Sequence, residues 1–164
     1  MSVFKLRTLK YSDYRVCRTM LLDIFGQPEF TQFVEAWKTR DSKTSFGVTV
    51  AGQLIGYVLV DIYHKIQYLC VDPVFRNSRL GSTLLTKALD ALGDVACVRL
   101  TTAKDWRLTS WYTRFGFAIE KVLNDSKGIF AGADMVLYRD KKEAAQAEKN
   151  VLEITMQATA PPPL

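Results

Sequence analysis

Ile66-Gln67-Tyr68-Leu69-Cys70-Val71-Asp72-Pro73-Val74-Phe75-Arg76-Asn77-Ser78-Arg79-Leu80-Gly81-Ser82-Thr83-Leu84-Leu85 joins two different periodicities through one short loop. Ile66 to Val71 is a β-rich run ended by Asp72-Pro73. From Leu80 the apolar residues Leu80, Leu84, Leu85, Ala88, Leu89 and Leu92 recur at helical spacing until Gly93 stops them. Between the two lies a polar, basic loop carrying Arg76, Asn77, Ser78 and Arg79. A strand therefore delivers the chain to a helix start, whose first turn has four backbone N–H groups without intrahelical partners. Those donors converge and the macrodipole favours negative charge, so the pattern predicts an anion site. Gly81 lets backbone approach a diphosphate closely, and Ser82 and Thr83 offer hydroxyls.

The flanking sequence extends this unit in both directions. Upstream, Phe46 to Val50 and Leu54 to Tyr63 are β-rich runs joined by Ala51-Gly52-Gln53, which predicts three consecutive antiparallel strands with Ile66 to Val71. Before them, Val3 to Leu9 alternates as a strand. Tyr14, Cys17, Met20, Leu21, Ile24 and Phe25 follow at helical spacing, with Ser12 or Asp13 as cap and Gly26 as stop. Pro28 opens a second helical pattern through Phe30, Phe33, Val34 and Trp37. Downstream, Val95 to Thr102 reads as a strand, Asp105 caps a helix running to Phe115, and Phe117 to Leu123 and Ala133 to Tyr138 are strands separated by a turn with Asp125, Ser126 and Gly128. The predicted fold is mixed α/β: about seven mostly antiparallel strands in one central sheet with helices on both faces, in the order β-α-α-β-β-β-α-β-α-β-β. Residues 1–140 are expected to form a single domain. Residues 141–164 are expected to be an extension, helical in part with Lys141 and Lys142 on a solvated face, then mobile through Ala160-Pro161-Pro162-Pro163-Leu164.

Composition limits the function classes. The chain has 164 residues, 48% apolar and 24% charged, the profile of one compact globular domain. Met1 to Lys10 alternates apolar and basic residues, so no secretory leader is expected there, and the protein is expected to be cytoplasmic and not membrane-associated. Cys17, Cys70 and Cys97 stand at unpatterned spacing among apolar neighbours and read as reduced core thiols. With one histidine and no CxxC spacing, the ligands of a zinc site are missing, and no metal is expected. The net charge of +5 suits an anionic ligand. It does not choose between a cofactor phosphate and nucleic acid, although no nucleic-acid recognition motif is present, so a nucleic-acid partner is not required.

The quoted segment resembles the coenzyme A signature of the GNAT superfamily of acetyl-CoA-dependent N-acetyltransferases. That signature is a strand ending in Val-x-Pro, two residues, then Arg/Gln-x-x-Gly-x-Gly/Ala opening a helix. Val71-Asp72-Pro73 and Arg76-Asn77-Ser78-Arg79-Leu80-Gly81 occupy those places, with Arg79 where the first glycine stands. Glycine there avoids a side chain near the pyrophosphate and tolerates φ > 0; arginine does neither. Either Arg79 turns its guanidinium to a phosphate or it weakens cofactor binding. Tyr112-Thr113-Arg114-Phe115-Gly116-Phe117 resembles the family's Tyr-x-x-x-Gly-Phe element, and Asp105 stands where many members have an asparagine on the pantetheine arm.

The resemblance implies direct acetyl transfer from acetyl-CoA to a neutral amine, without a covalent enzyme intermediate. Leu69, Cys70 and Val71 would supply a backbone N–H to the thioester carbonyl, Arg76 to Ser82 would cradle the phosphates, and Tyr112 would protonate the departing thiolate, its phenol near pKa 10 roughly matching a thiol. The family's strand glutamate is absent, Lys65 and Gln67 being found instead. His64 and Asp61 are the nearby candidate bases, with a water relay as the alternative. Without a strong base a low-pKa acceptor is favoured: at pH 7 an α-amine near 8 is roughly ten percent neutral, a lysine amine about 0.04 percent. The acceptor is expected to be a small-molecule or protein amine. Three alternatives remain open: a degenerate acyl-CoA-binding module, an acetyltransferase of aminoacyl-tRNA, and, for assembly, a homodimer formed through open sheet edges.

Overall fold

A computed structural model describes residues 3–26, 30–103 and 105–139, together with 145–146, 149–150, 152–153 and 156 of the tail. The helix start expected at Pro28, the solvated face at Lys141 and Lys142, and the Pro-rich end lie outside the described residues. The described tail residues are helical, and Gln146 Nε2 donates to Asn150 Oδ1 at 3.2 Å. Two compact units are distinguished, Met1–Gly93 and Asp94–Leu164.

The first unit contains β1 (Phe4–Thr8), α1 (Tyr14–Phe25), α2 (Phe30–Lys38), β2 (Phe46–Val50), β3 (Gln53–Val60), β4 (Lys65–Val71) and α3 (Leu80–Leu92). Its strands pair antiparallel in the order β1-β2-β3-β4. Alternation along β3 divides the two faces. Tyr57 and Leu59 face a core with Cys17, Met20 and Leu21 of α1 and Phe33, Ala36 and Trp37 of α2. Gly56 faces the other way, where a Cβ would meet Val48 and Leu84 of α3. Helices thus cover both faces of this unit's sheet. Leu84 and Leu85 are fully buried, each burial contributing about 2 kcal/mol. A bulge leaves Ile55 unpaired between Val48↔Gly56 and Thr49↔Leu54, which puts Leu54 on the same side as Tyr57.

The second unit contains β5 (Cys97–Thr101), α4 (Trp106–Thr113), β6 (Ala118–Asn124) and β7 (Phe130–Tyr138). β7 pairs antiparallel with both β5 and β6. Val98, Leu100, Ala133 and Met135 are buried, and Gly116, at φ 95°, ends the turn after α4. The expected element order is found from Phe4 to Tyr138, with seven strands and the helices α1 to α4. No helix there is long and apolar enough to cross a membrane.

Three local expectations are corrected. The strand predicted over Leu54 to Tyr63 ends at Val60, because the Asp61 carboxylate folds a turn by accepting from the N–H groups of Tyr63 at 2.8 Å and Lys65 at 3.0 Å. Asp13 precedes α1 but makes no side-chain cap. Its oxygens instead accept from Arg7 and from the Lys10 N–H. Cys97 is half-buried rather than a core thiol, and its sulfur accepts from Arg99 Nη1 at 2.9 Å.

Candidate functional site

The site predicted at Arg76 to Ser82 lies within the first unit, between the end of β4 and the start of α3. Asp72 starts the loop by accepting from the Val74 N–H at 2.9 Å, which closes a 3-10 turn over Pro73–Phe75. The Ser78 hydroxyl donates to the Phe75 carbonyl. Arg79 is the residue immediately before α3 and holds φ 63°, ψ 17°, and Asn77 is also left-handed at φ 69°. The glycine position of the signature is thus left-handed here with an arginine in it, contrary to the expectation that arginine does not tolerate it. Asparagine is enriched in this conformation, so Asn77 was a legible signal; for arginine the strain is about 1–2 kcal/mol.

The first helical N–H with a helical partner is that of Thr83, bonded to the Arg79 carbonyl at 3.0 Å. The N–H groups of Leu80, Gly81 and Ser82 precede it in the unpaired first turn. The Thr83 hydroxyl also donates to the Arg79 carbonyl, at 3.0 Å, which takes it out of the expected donor set; the Ser82 hydroxyl makes no hydrogen bond found among the described residues. Arg76 and Arg79 are exposed and enter none of the ion pairs of the described residues. Three amides, one hydroxyl and two guanidinium groups at a helix start form a donor set suited to a diphosphate.

Leu69, Cys70 and Val71 lie on β4, opposite Val58, Tyr57 and Gly56 of β3. Cys70 is 2% exposed and its side chain belongs to the core with Cys17 and Tyr57. Burial pushes its thiol up to about 11, with hydrogen bonding to Tyr57 and the charge of Arg76 opposing. Such a thiol is a poor nucleophile at neutral pH, as a direct-transfer reaction permits.

Of the candidate bases, His64 sits in the turn between β3 and β4 at φ 65°, half-buried, with its N–H on the Asp61 carbonyl at 3.1 Å. Seven residues of extended chain, about 20 Å, separate it from Val71. Asp61 is 4% exposed, and besides the two turn amides its carboxylate accepts from Gln67 Nε2 at 2.7 Å. Its oxygens are committed to the turn.

In the second unit, Asp105 caps α4 through the Arg107 N–H at 2.9 Å. Hydrogen bonding to Arg107 holds its carboxyl below the usual carboxylate range. Tyr112 is buried in α4 with its ring against Trp111 at 4.9 Å and Phe117 at 5.7 Å. The Tyr-x-x-x-Gly-Phe spacing is what creates the Tyr112–Phe117 contact: Gly116 turns the chain and the Phe117 N–H returns to the Tyr112 carbonyl at 3.3 Å. No group of three or more potential metal ligands is found among the described residues.

Residues 9–117 match the model of the acetyltransferase (GNAT) family. No curated protein matches the chain in sequence. Among solved structures, the ribosomal-protein-S18-alanine N-acetyltransferase of Escherichia coli is similar with a TM-score of 0.68 at 18% identity, over 83% of this chain and 94% of that one. Arabidopsis thaliana Naa50 in complex with the bisubstrate analogue CoA-Ac-MVNAL is similar with a TM-score of 0.65 at 13% identity, over 81% and 97%. The PaiA N-acetyltransferase of Thermoplasma acidophilum in complex with coenzyme A gives 0.61 at 15% identity, over 83% and 99%. At these identities the likeness is one of fold.

Proposed function

Because the chain belongs to the GNAT acetyltransferase family, and is therefore an acyltransferase, we propose that it moves an acetyl group from acetyl-CoA directly to a primary amine in a ternary complex. The observation that carries this reading is the donor set at the start of α3, where Leu80, Gly81 and Ser82 present free amides beside the unpaired Arg76 and Arg79. These groups bind the diphosphate. Arg79 contributes a guanidinium in place of the closer backbone approach that glycine allows. Backbone at Leu69 to Val71 polarises the thioester carbonyl, and Tyr112 returns a proton to the thiolate as the acetyl group leaves. Asp105 serves as the cap of α4 rather than as a cofactor ligand.

The amine is deprotonated through water, since Asp61 is bound into its turn and His64 stands at the far end of β4. A weak base favours an acceptor of low pKa, and an α-amine meets that demand better than a lysine. Two of the similar folds are an alanine N-acetyltransferase and a protein in complex with a CoA-peptide bisubstrate analogue, which supports a peptide or amino-acid α-amine as the acceptor class. Residues 1–140 act as the catalytic domain and 141–164 as an extension of it, in a cytoplasmic protein.

Calorimetric titration with coenzyme A, followed by a thiol-release assay over a panel of amines, tests the proposal. Micromolar binding and amine-dependent release of thiol are expected; no binding at millimolar coenzyme A would end it. Tyr112→Phe should lower kcat by at least tenfold while leaving the coenzyme A Kd within twofold. An unchanged kcat would remove Tyr112 from the reaction.

A further inference from the structure

The loop between β4 and α3 is fixed to the first unit at its two ends. At its start the Asp72 N–H donates to the Ile55 carbonyl of β3 at 2.8 Å, and at its end Leu80 is buried as the first residue of α3. Between them, the hydrogen bonds found among the described residues close on the segment itself. The Val74 N–H goes to the Asp72 carboxylate at 2.9 Å, the Phe75 N–H to the Asp72 carbonyl at 2.9 Å, the Arg76 N–H to the Pro73 carbonyl at 3.3 Å and the Ser78 hydroxyl to the Phe75 carbonyl. Asn77 and Arg79 are left-handed, a strained arrangement that persists only where its surroundings hold it. Of residues 73–79, Phe75 is half-buried and the other six are exposed. Its ring meets that of Phe4 in β1 edge-on, with centroids 6.3 Å apart and planes at 87°, a favoured geometry for two aromatics.

β1 is three places from β4 in the sheet, so strand pairing does not bring Phe4 to this loop; the two rings do. Phe75 precedes Arg76 and holds Ser78 through its carbonyl, which places the ring contact behind two of the groups proposed for the diphosphate. We infer that Phe4 is a positioning residue for the cofactor site: by holding Phe75 it keeps Arg76 and Ser78 in the arrangement that receives the diphosphate. This rests on the acetyltransferase reading and adds to it a residue outside the signature. A loop released from Phe4 spends part of its time in arrangements that do not bind, and apparent affinity falls with the competent fraction. The diphosphate is held alike before and during acetyl transfer, so the loss falls on cofactor affinity and not on turnover at saturation. Leu6 is the comparison. It lies on the same face of β1, opposite Val48 where Phe4 is opposite Val50, and is 39% exposed against 42% for Phe4, but stands about 7 Å further along the strand.

Phe4→Ala should raise the coenzyme A Kd about two- to tenfold, the range of one aromatic pair, and the KM for acetyl-CoA in step, with kcat at saturating acetyl-CoA unchanged. Phe4→Tyr, which keeps the ring, should restore the native affinity, and Leu6→Ala should leave it at the native value. If Phe4→Ala does not fold, Phe4→Leu, which keeps apolar bulk and loses the ring, is read in the same way. A native Kd in the ring-less variant, or an equal loss from Leu6→Ala, would overturn the inference. Brief tryptic digestion of the folded protein reads the loop without cofactor: cleavage after Arg76 and Arg79 should be faster in Phe4→Ala than in the native protein or Leu6→Ala, and equal rates would overturn the anchor. Faster cleavage in a chain that binds no coenzyme A would support the anchor while ending the acetyltransferase reading, so the two failures are told apart.

Discussion

Arg7 and Asp13 form a two-pronged ion pair, with Nη1 2.7 Å from Oδ2 and Nη2 2.9 Å from Oδ1. The pair ties β1 to the 3-10 turn that leads into α1, and the Lys10 N–H adds a third donor to Asp13 at 2.7 Å. Burial acts to raise the Asp13 carboxyl, but the Arg7 hydrogen bond, the Lys10 amide and the neighbouring positive charges outweigh it, and the net shift is downward. A carboxyl lowered on folding stabilises the protein above its unfolded pKa of about 3.9, and that stability is lost as pH falls through the lower folded value. Asp13→Asn should therefore cost about 2 kcal/mol in urea unfolding at pH 7. The gap to the native protein should close progressively below about pH 4; a gap that persists at pH 2 would assign the loss to packing instead of charge.

The same pair marks where local reading of the sequence ends. Asp13 stands one residue before a helical period and reads as a cap, because capping is a short-range pattern. That its carboxylate goes to Arg7 depends on the chain turning back on itself at Tyr11–Asp13. The β2-β3-β4 meander was legible, since Gly52 and Asp61 punctuate apolar runs too short for helices, and so was α3, whose six buried positions keep one face. The anion loop was legible because its donors are consecutive. Trp37 and Arg40 carry no such pattern: one in the last turn of α2 and the other just past its end, they read as a core aromatic and a surface cation until their unpaired atoms are placed.

Gly132 has a requirement that no neighbouring residue announces. It holds φ 138°, and a Cβ there would sit 2.3 Å from the Thr102 carbonyl oxygen, a backbone atom that cannot move aside. Thr102 is fixed in turn by its N–H on the Ala133 carbonyl at 2.8 Å and by its hydroxyl accepting from the Ala133 N–H at 2.9 Å. Gly132→Ala should destabilise the protein by about 3 kcal/mol or more, as strain and overpacking add. Gly128→Ala, left-handed but with open space around it, should cost only about 1 kcal/mol. Equal melting temperatures for the two variants would refute the clash.

Arg79→Gly separates stability from cofactor binding. Relief of the left-handed strain contributes about 1–2 kcal/mol, and the greater unfolded-state entropy of glycine offsets about 0.5–1 of it, leaving a small net gain near 0.5 kcal/mol. Coenzyme A should nonetheless bind about tenfold more weakly, the loss expected for one charge-assisted contact, and its affinity should depend less steeply on salt. Tighter binding in the variant would mean that the arginine obstructs the diphosphate and that the signature glycine is the better residue here.

The three thiols should differ sharply in reactivity. Burial pushes both core thiols up, Cys17 chiefly by loss of hydration with Asp13 and Cys70 adding to it, and Cys70 to about 11. At pH 8 a thiol of pKa 11 is about 0.1 percent thiolate, and at 2% exposure it is also shielded from reagent. Cys97 is half-buried and meets solvent. Iodoacetamide at pH 8 should therefore modify Cys97 in the native protein and reach Cys17 and Cys70 only after denaturation, as peptide mass mapping would show. Acetyl-CoA alone should leave all three unacetylated. An acetyl thioester on Cys70 that is chemically competent to acetylate an amine would replace direct transfer by a two-step reaction, and would make the buried strand residue, rather than Tyr112, the first group to examine.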